Sequence, residues 1–264
     1  MQPVIVMPMH DPSGLMFPHL QAITPQLKSI FAQAFVGITA ITRETQAPYL
    51  AWLEADDFFQ IHYRQPEGSV GDDFLTLYAQ AVEVCLPNQI LHLCFIDRVA
   101  FALQPAYRAE FMADLQAVPP AHTPLIFQRS PAAWKTHPRN YFEFEQLVTR
   151  LGQLLFNQSL DFAWCHLAVQ ANQLKEILPR LRSHDLSLVA EIVLMLKDKI
   201  QTKDVDWLVW EDPFIYSCDP QQLKEEREQS SEETHKRLAY VMPILQLLEQ
   251  WWLTEKRITD HKNL

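Results

Sequence analysis

The sequence predicts an α/β fold, with a mostly parallel central sheet flanked by helices and a helical C-terminal extension. In the first half, short apolar runs of β-forming residues alternate with segments whose apolar residues recur at helical spacing. This alternation is typical of βαβ units, whose right-handed crossovers place helices on the faces of the sheet. From Asp219 onward the chain is dense in charged residues, yet its apolar residues keep helical spacing.

Strands are predicted where short runs are rich in apolar, β-branched or aromatic residues. The runs are residues 4–8, 35–41, 58–63, 90–96, 124–128 and 205–210. The first four alternate with helical segments and should form the parallel part of the sheet.

Helices are predicted where apolar residues recur three or four positions apart. The first has Leu20, Ile23, Leu27 and Ile30, with Pro25 as a kink, and a short helix covers residues 48–55. Further apolar stripes cover residues 74–85, 147–155, 174–181 and 189–196. The last runs from Leu238 to Trp252 and is expected to be interrupted near Pro243.

The simplest division is one compact α/β domain over residues 1–218 and a helical extension over 219–264, since no flexible linker or internal repeat separates smaller units. The length of 264 residues, 48% of them hydrophobic, is enough for a sizeable core.

Composition excludes several classes of protein. A net charge of −10 lacks the basic footprint of nucleic-acid binding, and no apolar run approaches the ~20 residues of a membrane span. The four cysteines are isolated and the N-terminus lacks the basic start of a secretory signal, so a cytoplasmic protein is expected. With five glycines the chain has no glycine-rich phosphate loop.

Arginines follow four of the predicted strands. Arg43, Arg64, Arg98 and Arg129 each come just after a strand. Parallel strands end at one edge of a sheet, where ligands bind in open α/β folds, and guanidinium groups match phosphate oxygens. These residues favour an anionic small molecule, although each arginine can equally be a solvated residue paired with a carboxylate.

Two further features lie at expected strand ends or helix starts. Asp97 follows a buried strand, where its carboxylate can hold a divalent cation or simply cap a turn or pair with a cation. Gly71 and Asp72 precede a helix, where glycine permits close approach of a ligand and Asp72 can bond a ribose or a base. A plain turn is the alternative.

The second half offers acidic candidates for catalysis. Glu143 and Glu145 stand two residues apart and cannot share a helical face, so one should face a site while the other is solvated. Asp161 and His166 lie among aromatic and apolar residues, where a carboxylate can have a raised pKa and act as a general base. A buried polar pair with a structural role is the alternative.

Several of these features, in this order along the chain, resemble GT-A-fold glycosyltransferases. They are Val4–Pro8 followed by His10 and Asp11, Thr39-x-x-Thr42 after the second strand, Gly71-Asp72, Leu91 to Arg98, Arg129-Ser130, Glu143 or Glu145, and Leu160-Asp161. The resemblance spans residues 3–215 and is one of pattern and order.

The resemblance implies a GT-A-like fold with a nucleotide-binding half over residues 1–100 and an acceptor half over 101–218. The donor would be a nucleoside-diphosphate sugar of the UDP or GDP type, and the acceptor a small-molecule or lipid-linked hydroxyl. By likeness, the nucleotide pocket would contain Pro8, His10, Asp11, Thr42 and Glu44.

The same resemblance implies catalytic roles. Asp97 would hold a manganese or magnesium ion, with His166 as a further ligand, and Asp161 would be the base. Phe95 stands where the first acid of the family's Asp-x-Asp is expected, so the strand-end arginines would help to stabilise the leaving diphosphate.

Three other functions remain open from the sequence. The missing acid is consistent with a non-catalytic binding module of the same fold. A nucleotidyltransferase shares the βαβ opening, although its phosphate loop is not visible. A structural protein could use Trp251, Trp252 and the C-terminal helix as a partner surface, for example in a homodimer.

Overall fold

A computed structural model describes residues 1–64 and 68–262. It contains a seven-stranded sheet in the order β3-β2-β1-β4-β6-β5-β7. In chain order the strands are β1 (Val4–Met9), β2 (Ala34–Ile38), β3 (Phe59–Tyr63), β4 (Ile90–Cys94), β5 (Leu125–Arg129), β6 (His166–Gln170) and β7 (Gln201–Val205).

The sheet is mostly parallel, as the sequence predicts. β1 pairs in parallel with β2 and β4, β2 pairs in parallel with β3, and β5 pairs in parallel with β7. Among the described strands, β6 runs antiparallel to both of its neighbours, with Cys94 opposite His166 and Phe127 also opposite His166. The strand order reverses at β1, because β2 and β3 lie on one side of it and β4 lies on the other.

Helices cover both faces of the sheet, so the hydrophobic core has one part on each face. The helices of the first half are α1 (Met16–Ile30), α2 (Ala40–Thr45), α3 (Ala47–Glu54), α4 (Val70–Val84), α5 (Ile96–Ala102) and α6 (Arg108–Gln116). Those of the second half are α7 (Pro131–Thr136), α8 (Arg139–Phe156), α9 (Ala171–Ile177), α10 (Leu188–Leu196), α11 (Asp212–Ile215), α12 (Pro220–Gln229) and α13 (Ser231–Lys262).

The near-continuous apolar sequence of β1 follows from burial on both faces. Ile5 and Met7 pack into one core with α1 and α5, whereas Val4 and Val6 pack into the other with α4, α9 and α10.

Three strand predictions need correction. The second strand ends at Ile38 rather than 41, because α2 begins at Ala40. The late strand is Gln201–Val205, not 205–210. It comes before the apolar run, and its own sequence is polar because its first four positions are exposed at the edge of the sheet. Strand β6 was not predicted at all.

The apolar stripe predicted over 147–155 is only partly correct. The buried face of α8 consists of Tyr141, Glu145, Val148 and Gly152, while Leu154 is 83% exposed. The buried face of α8 therefore includes a carboxylate and a glycine, residue types that apolar spacing does not identify as core.

The helical extension packs against the domain instead of standing apart. α13 is continuous through Pro243, so the predicted interruption is wrong. Val241, Ile244 and Leu248 are fully buried and belong to the core that also contains Val148 of α8. These contacts on both sides of the proline offset the hydrogen bond that its missing N–H removes. Residues 263 and 264 of the predicted extension lie outside the described residues.

No helix within residues 1–64 and 68–262 combines the length and the apolar character that crossing a bilayer requires. The homodimer expected through the C-terminal helix stays a prediction.

Candidate functional site

Several of the predicted site residues lie along one edge of the sheet, where the parallel strands end and the antiparallel β6 begins. Residues at or just beyond this edge include, in the order of the strands across the sheet, Arg64, Thr39, His10, Phe95, Cys165 and Arg129. The edge has two parts, since it is open above β1 to β4 and filled by charged side chains above β5 and β6.

The first open part is a cavity of about 240 Å³ at the ends of β1, β2 and β3, called the β1–β3 pocket here. Its lining residues are mainly apolar and come from three strands, α4 and the end of β4: Pro8, Met9, His10, Gly37, Ile38, Thr39, His62, Arg64, Val70, Asp73, Phe74, Leu77 and Phe95. It contains the predicted residues Pro8, His10 and Arg64.

An ion pair lies in this pocket. Arg64 Nε is 2.8 Å from Asp73 Oδ2, and the guanidinium also donates to the Gly68 carbonyl. Burial raises the pKa of Asp73 to about 6, against the lowering effect of Arg64. Sequence reasoning selected Asp72 and missed Asp73, although Asp73 stands four residues before Leu77 and so shares its helical face.

Asp72 and Gly71 have structural roles at the start of α4. Asp72 and Ser69 form a reciprocal capping box, and Asp72 Oδ1 lies 2.8 Å from His184 Nδ1. The Gly71 N–H donates to the His184 carbonyl, and a Cβ on Gly71 would lie 2.5 Å from the His184 carbonyl carbon. The glycine therefore admits the neighbouring loop rather than a ligand.

The second open part is a cavity of about 420 Å³ between the ends of β1 and β4, called the β1–β4 pocket here. It shares Pro8, His10 and Phe95 with the first, and its other lining residues are Asp11, Pro12, Ser13, Leu15, Met16, Ile96, Asp97, Asp212, Ile215 and Tyr216. The two pockets thus form one crevice on either side of the β1 end.

Three aspartates line this second pocket: Asp11, whose oxygens cap α1, Asp97 from the first turn of α5, and Asp212 from α11. Burial raises the pKa of Asp212, against the lowering effect of Arg98 and Arg227, and the charge of Asp97 adds to the rise. Arg227 Nη2 lies 3.7 Å from Asp212 Oδ2. One Asp97 oxygen accepts the Arg98 N–H at 2.8 Å. Sequence reasoning did not select Asp212, although it comes two residues after the strand predicted over 205–210.

These residues fit a hydrated divalent ion better than a closed protein cage. Magnesium is usually held by one or two carboxylates together with substrate phosphates. Asp97 and Asp212 would supply the carboxylates. Within the described residues, no group of three or more His, Cys, Asp and Glu side chains is arranged to hold a metal.

Asp11 and Thr42 hold the crevice wall together. Asp11 accepts the backbone N–H groups of Leu15 at 2.9 Å and Met16 at 2.7 Å, so both its oxygens cap α1. The Asp11 N–H donates to Thr42 Oγ1, which is 2.9 Å from Thr39 Oγ1, and that hydroxyl is 3.1 Å from His10 Nδ1. This chain fixes the end of β1 against the end of β2.

Arg43 and Glu44 lie on α2, and neither is among the residues lining the two pockets. The Arg43 guanidinium stacks on the Tyr63 ring at 4.4 Å, and Glu44 is exposed. Arg98 is largely buried and is not among the residues lining the β1–β4 pocket; it pairs with Glu211 and donates to the Val209 carbonyl at 3.3 Å.

The filled part of the edge is a buried cluster around Arg129. Its guanidinium donates to Glu145 Oε2 and Cys165 Sγ, both at 2.9 Å, and lies 4.0 Å from Asp161 Oδ2. Burial raises the pKa of Asp161 to about 6, although Arg129 opposes the rise. Glu145 is thus the buried acid of the predicted pair, while Glu143 is exposed and lies 3.5 Å from Arg139.

His166 lies in the core and not in the crevice. Its Nε2 is 2.9 Å from His92 Nδ1, and the ring packs against Phe111, Phe127 and Trp207. Burial lowers its pKa well below the usual range, so the ring is neutral. The apolar residues among Leu160 to Trp164 are as typical of a buried structural histidine as of a histidine in a functional site.

No protein-family model matches this chain, and no curated protein matches it either.

Proposed function

We propose that this chain binds a nucleoside-diphosphate sugar in the crevice above β1 to β4 and transfers the sugar to a hydroxyl acceptor, as a GT-A-like glycosyltransferase. The observation that carries the proposal is the pair of adjoining pockets at the carboxyl ends of parallel strands, where the strand order reverses at β1. Ligands of open α/β sheets bind at this kind of position.

The two pockets suit different parts of such a donor. The β1–β3 pocket offers apolar walls for a base, and the Arg64–Asp73 pair and His62 can bond its polar edge or the ribose. The β1–β4 pocket offers Asp97 and Asp212, which suit a diphosphate bound together with manganese or magnesium. His10 lies on the shared wall, next to both parts.

In the transfer step, negative charge develops on the diphosphate as the bond to the sugar breaks. A divalent ion at Asp97 and Asp212 would supply the neutralising charge. Arg98, next to Asp97 in the chain, is already paired with Glu211, so it contributes no free charge to the diphosphate. Asp161 is the candidate base, since a carboxyl with a pKa near 6 is ionised and still basic near neutral pH.

A non-catalytic nucleotide-sugar-binding module is the second candidate. The observation that favours it is the burial of Asp161, which lies near Arg129 and accepts the Ala163 N–H at 2.9 Å. An acceptor reaches this carboxylate only if the surrounding side chains move. Donor binding is common to both candidates, and turnover separates them.

Titration calorimetry of the full chain with UDP- and GDP-sugars, with and without MnCl₂, tests donor binding. At least one donor should bind, more tightly with manganese, and Asp97→Ala should weaken binding by about 10-fold or more because the ion loses a carboxylate. Asp57→Ala is the matched control, because Asp57 is exposed and precedes β3 at the opposite edge of the sheet.

Absence of binding by any UDP- or GDP-sugar would reject both candidates, and equal affinity in Asp97→Ala would reject the metal role of Asp97. Release of UDP or GDP from a bound donor, measured with a panel of hydroxyl acceptors, would identify an enzyme. Tight binding without release would identify the module.

A further inference from the structure

A third cavity, of about 510 Å³, lies between α7, the start of α8, and α12. It shares no lining residue with the two crevice pockets, and we call it the α7–α12 pocket. Its lining residues are Pro131, Trp134, Lys135, His137, Arg139, Phe142, Gln146, Lys224 and Glu228.

The lining of this pocket is cationic in an acidic protein. Lys135, Arg139 and Lys224 contribute three positive charges and Glu228 one negative charge, an excess of +2 among the lining residues of a chain whose net charge is −10. Glu143, outside the lining, lies 3.5 Å from Arg139. Lys224 Nζ donates to the Lys135 carbonyl at 2.9 Å, which holds its ammonium at the pocket. Glu228 is engaged by the backbone N–H of Arg139 at 2.8 Å. A cationic recess of this kind attracts anions.

The remaining walls are aromatic. Trp134 and Phe142 are partly exposed, with ring centroids 5.4 Å apart and their planes at 68°. The Arg129 guanidinium lies 4.5 Å from the Trp134 ring centroid and fixes that side chain from the protein interior. Ring faces held in this way suit a flat or sugar-like body better than a bare inorganic anion.

An unsatisfied acceptor completes the pocket. His137 is 2% exposed, and its Nδ1 lies 3.1 Å from the Ala133 carbonyl, an acceptor that requires the proton on Nδ1. Nε2 therefore carries a lone pair, and no hydrogen-bonding group within the described residues reaches it. Burial, with the charge of Arg129 adding to it, lowers the pKa of His137 well below its usual range and keeps the ring neutral.

We propose that the α7–α12 pocket binds a small phosphorylated sugar. A phosphomonoester carries a charge of about −1.5 to −2 at neutral pH, which matches the local excess of positive charge. The sugar ring packs on the Trp134 and Phe142 side chains. These two side chains are partly exposed, and when they move apart a sugar hydroxyl donates to His137 Nε2. This removes the cost of a buried acceptor without a partner.

Binding is tested with the full chain by tryptophan fluorescence and calorimetry, using glucose 6-phosphate, ribose 5-phosphate, glucose and inorganic phosphate as probes. A sugar phosphate should bind at least about 10-fold more tightly than inorganic phosphate or glucose, because only it uses both the charge and the rings. The double variant Lys135→Ala/Lys224→Ala should weaken that binding by about 10-fold or more.

Lys199→Ala is the matched control, since Lys199 is exposed and lies outside the pocket lining. Asp97→Ala should leave sugar-phosphate binding unchanged, which separates this pocket from the donor crevice. No saturable binding of either sugar phosphate below about 10 mM, equal affinity for inorganic phosphate, or insensitivity to the double lysine variant would each overturn the proposal.

Discussion

Glu143 and Glu145 stand two residues apart on α8 and have different surroundings. The Glu143 side chain is 54% exposed beside Arg139, whereas Glu145 is 7% exposed and bonds the buried Arg129 guanidinium. The helical period predicts that only one of them can face inward. It does not predict which one, because the deciding partner, Arg129, comes from a distant strand.

Replacing Glu145 by alanine should therefore lower the free energy of unfolding by about 3–5 kcal/mol, since Arg129 would lose its closest carboxylate while remaining buried. Glu143→Ala should change it by no more than about 0.5 kcal/mol, because its pair is solvated. Urea denaturation of both variants measures the difference. Equal effects would show that Arg129 is balanced by Asp161 alone.

Asp161 should make stability depend on pH. Its pKa is 3.8 in the unfolded chain and about 6 in the folded one, because burial favours the protonated acid. The folded state thus binds the proton more tightly, so this group costs stability as the pH rises from about 4 to above 6.

Asp161→Asn removes that titration. Between pH 4 and pH 7 the free energy of unfolding of the wild type should fall by about 2 kcal/mol relative to the variant, measured by urea denaturation at both values. Asp198→Asn is the control, because Asp198 is 82% exposed. A constant difference between wild type and Asp161→Asn at the two pH values would mean that folding leaves the pKa of Asp161 unchanged.

Among the helices, α13 combines a buried face with exposed apolar residues. Ile244 is fully buried, and Met242, two positions earlier, is 41% exposed. The sequence predicted the apolar spacing of this helix but not its continuity through Pro243, since packing against α8 and α10 stabilises both sides of the proline.

Ile244→Ala should cost about 2–5 kcal/mol of unfolding free energy, the usual range for truncating a buried isoleucine. Met242→Ala should cost no more than about 0.5 kcal/mol, because that side chain is largely solvated. Thermal and urea denaturation compare the two. A small effect of Ile244→Ala would mean that α13 folds apart from the domain.

Strand β6 escaped prediction, as did the short helices α2, α5, α6, α7 and α11. Its five residues, His166–Gln170, are short, and their neighbours Leu160 to Trp164 are equally apolar, so no period marks where the strand begins. What makes it a strand is its place between β4 and β5, a pairing set by topology. The strands β1, β3, β4 and β5, by contrast, were predicted with boundaries close to those observed, because each is a distinct run between helical or turn segments.

Across the whole molecule, the edge of the sheet where the parallel strands end has an open part and a filled part, depending on which side chains cover it. Above β1 to β4 the covering residues leave the two pockets that support the donor proposal. Above β5 and β6, α8 brings Glu145 onto Arg129 and closes the space. The four arginines that follow predicted strands in the sequence thus have three different surroundings. Arg64 lies in a pocket wall, Arg98 and Arg129 form buried ion pairs, and Arg43 lies on α2 against Tyr63.

The sequence by itself determined the α/β class, most strands and helices, and the gathering of polar residues at one edge, because periodicity and strand ends are local properties of the chain. Only the tertiary structure decided which of those residues face open space. Asp97 and Arg64 do, Asp11 lines a pocket while its oxygens cap a helix, His166 lies in the core, and the unselected Asp73 and Asp212 line the pockets. The physical reason is that exposure and charge pairing depend on residues far away in the chain, which local patterns do not encode.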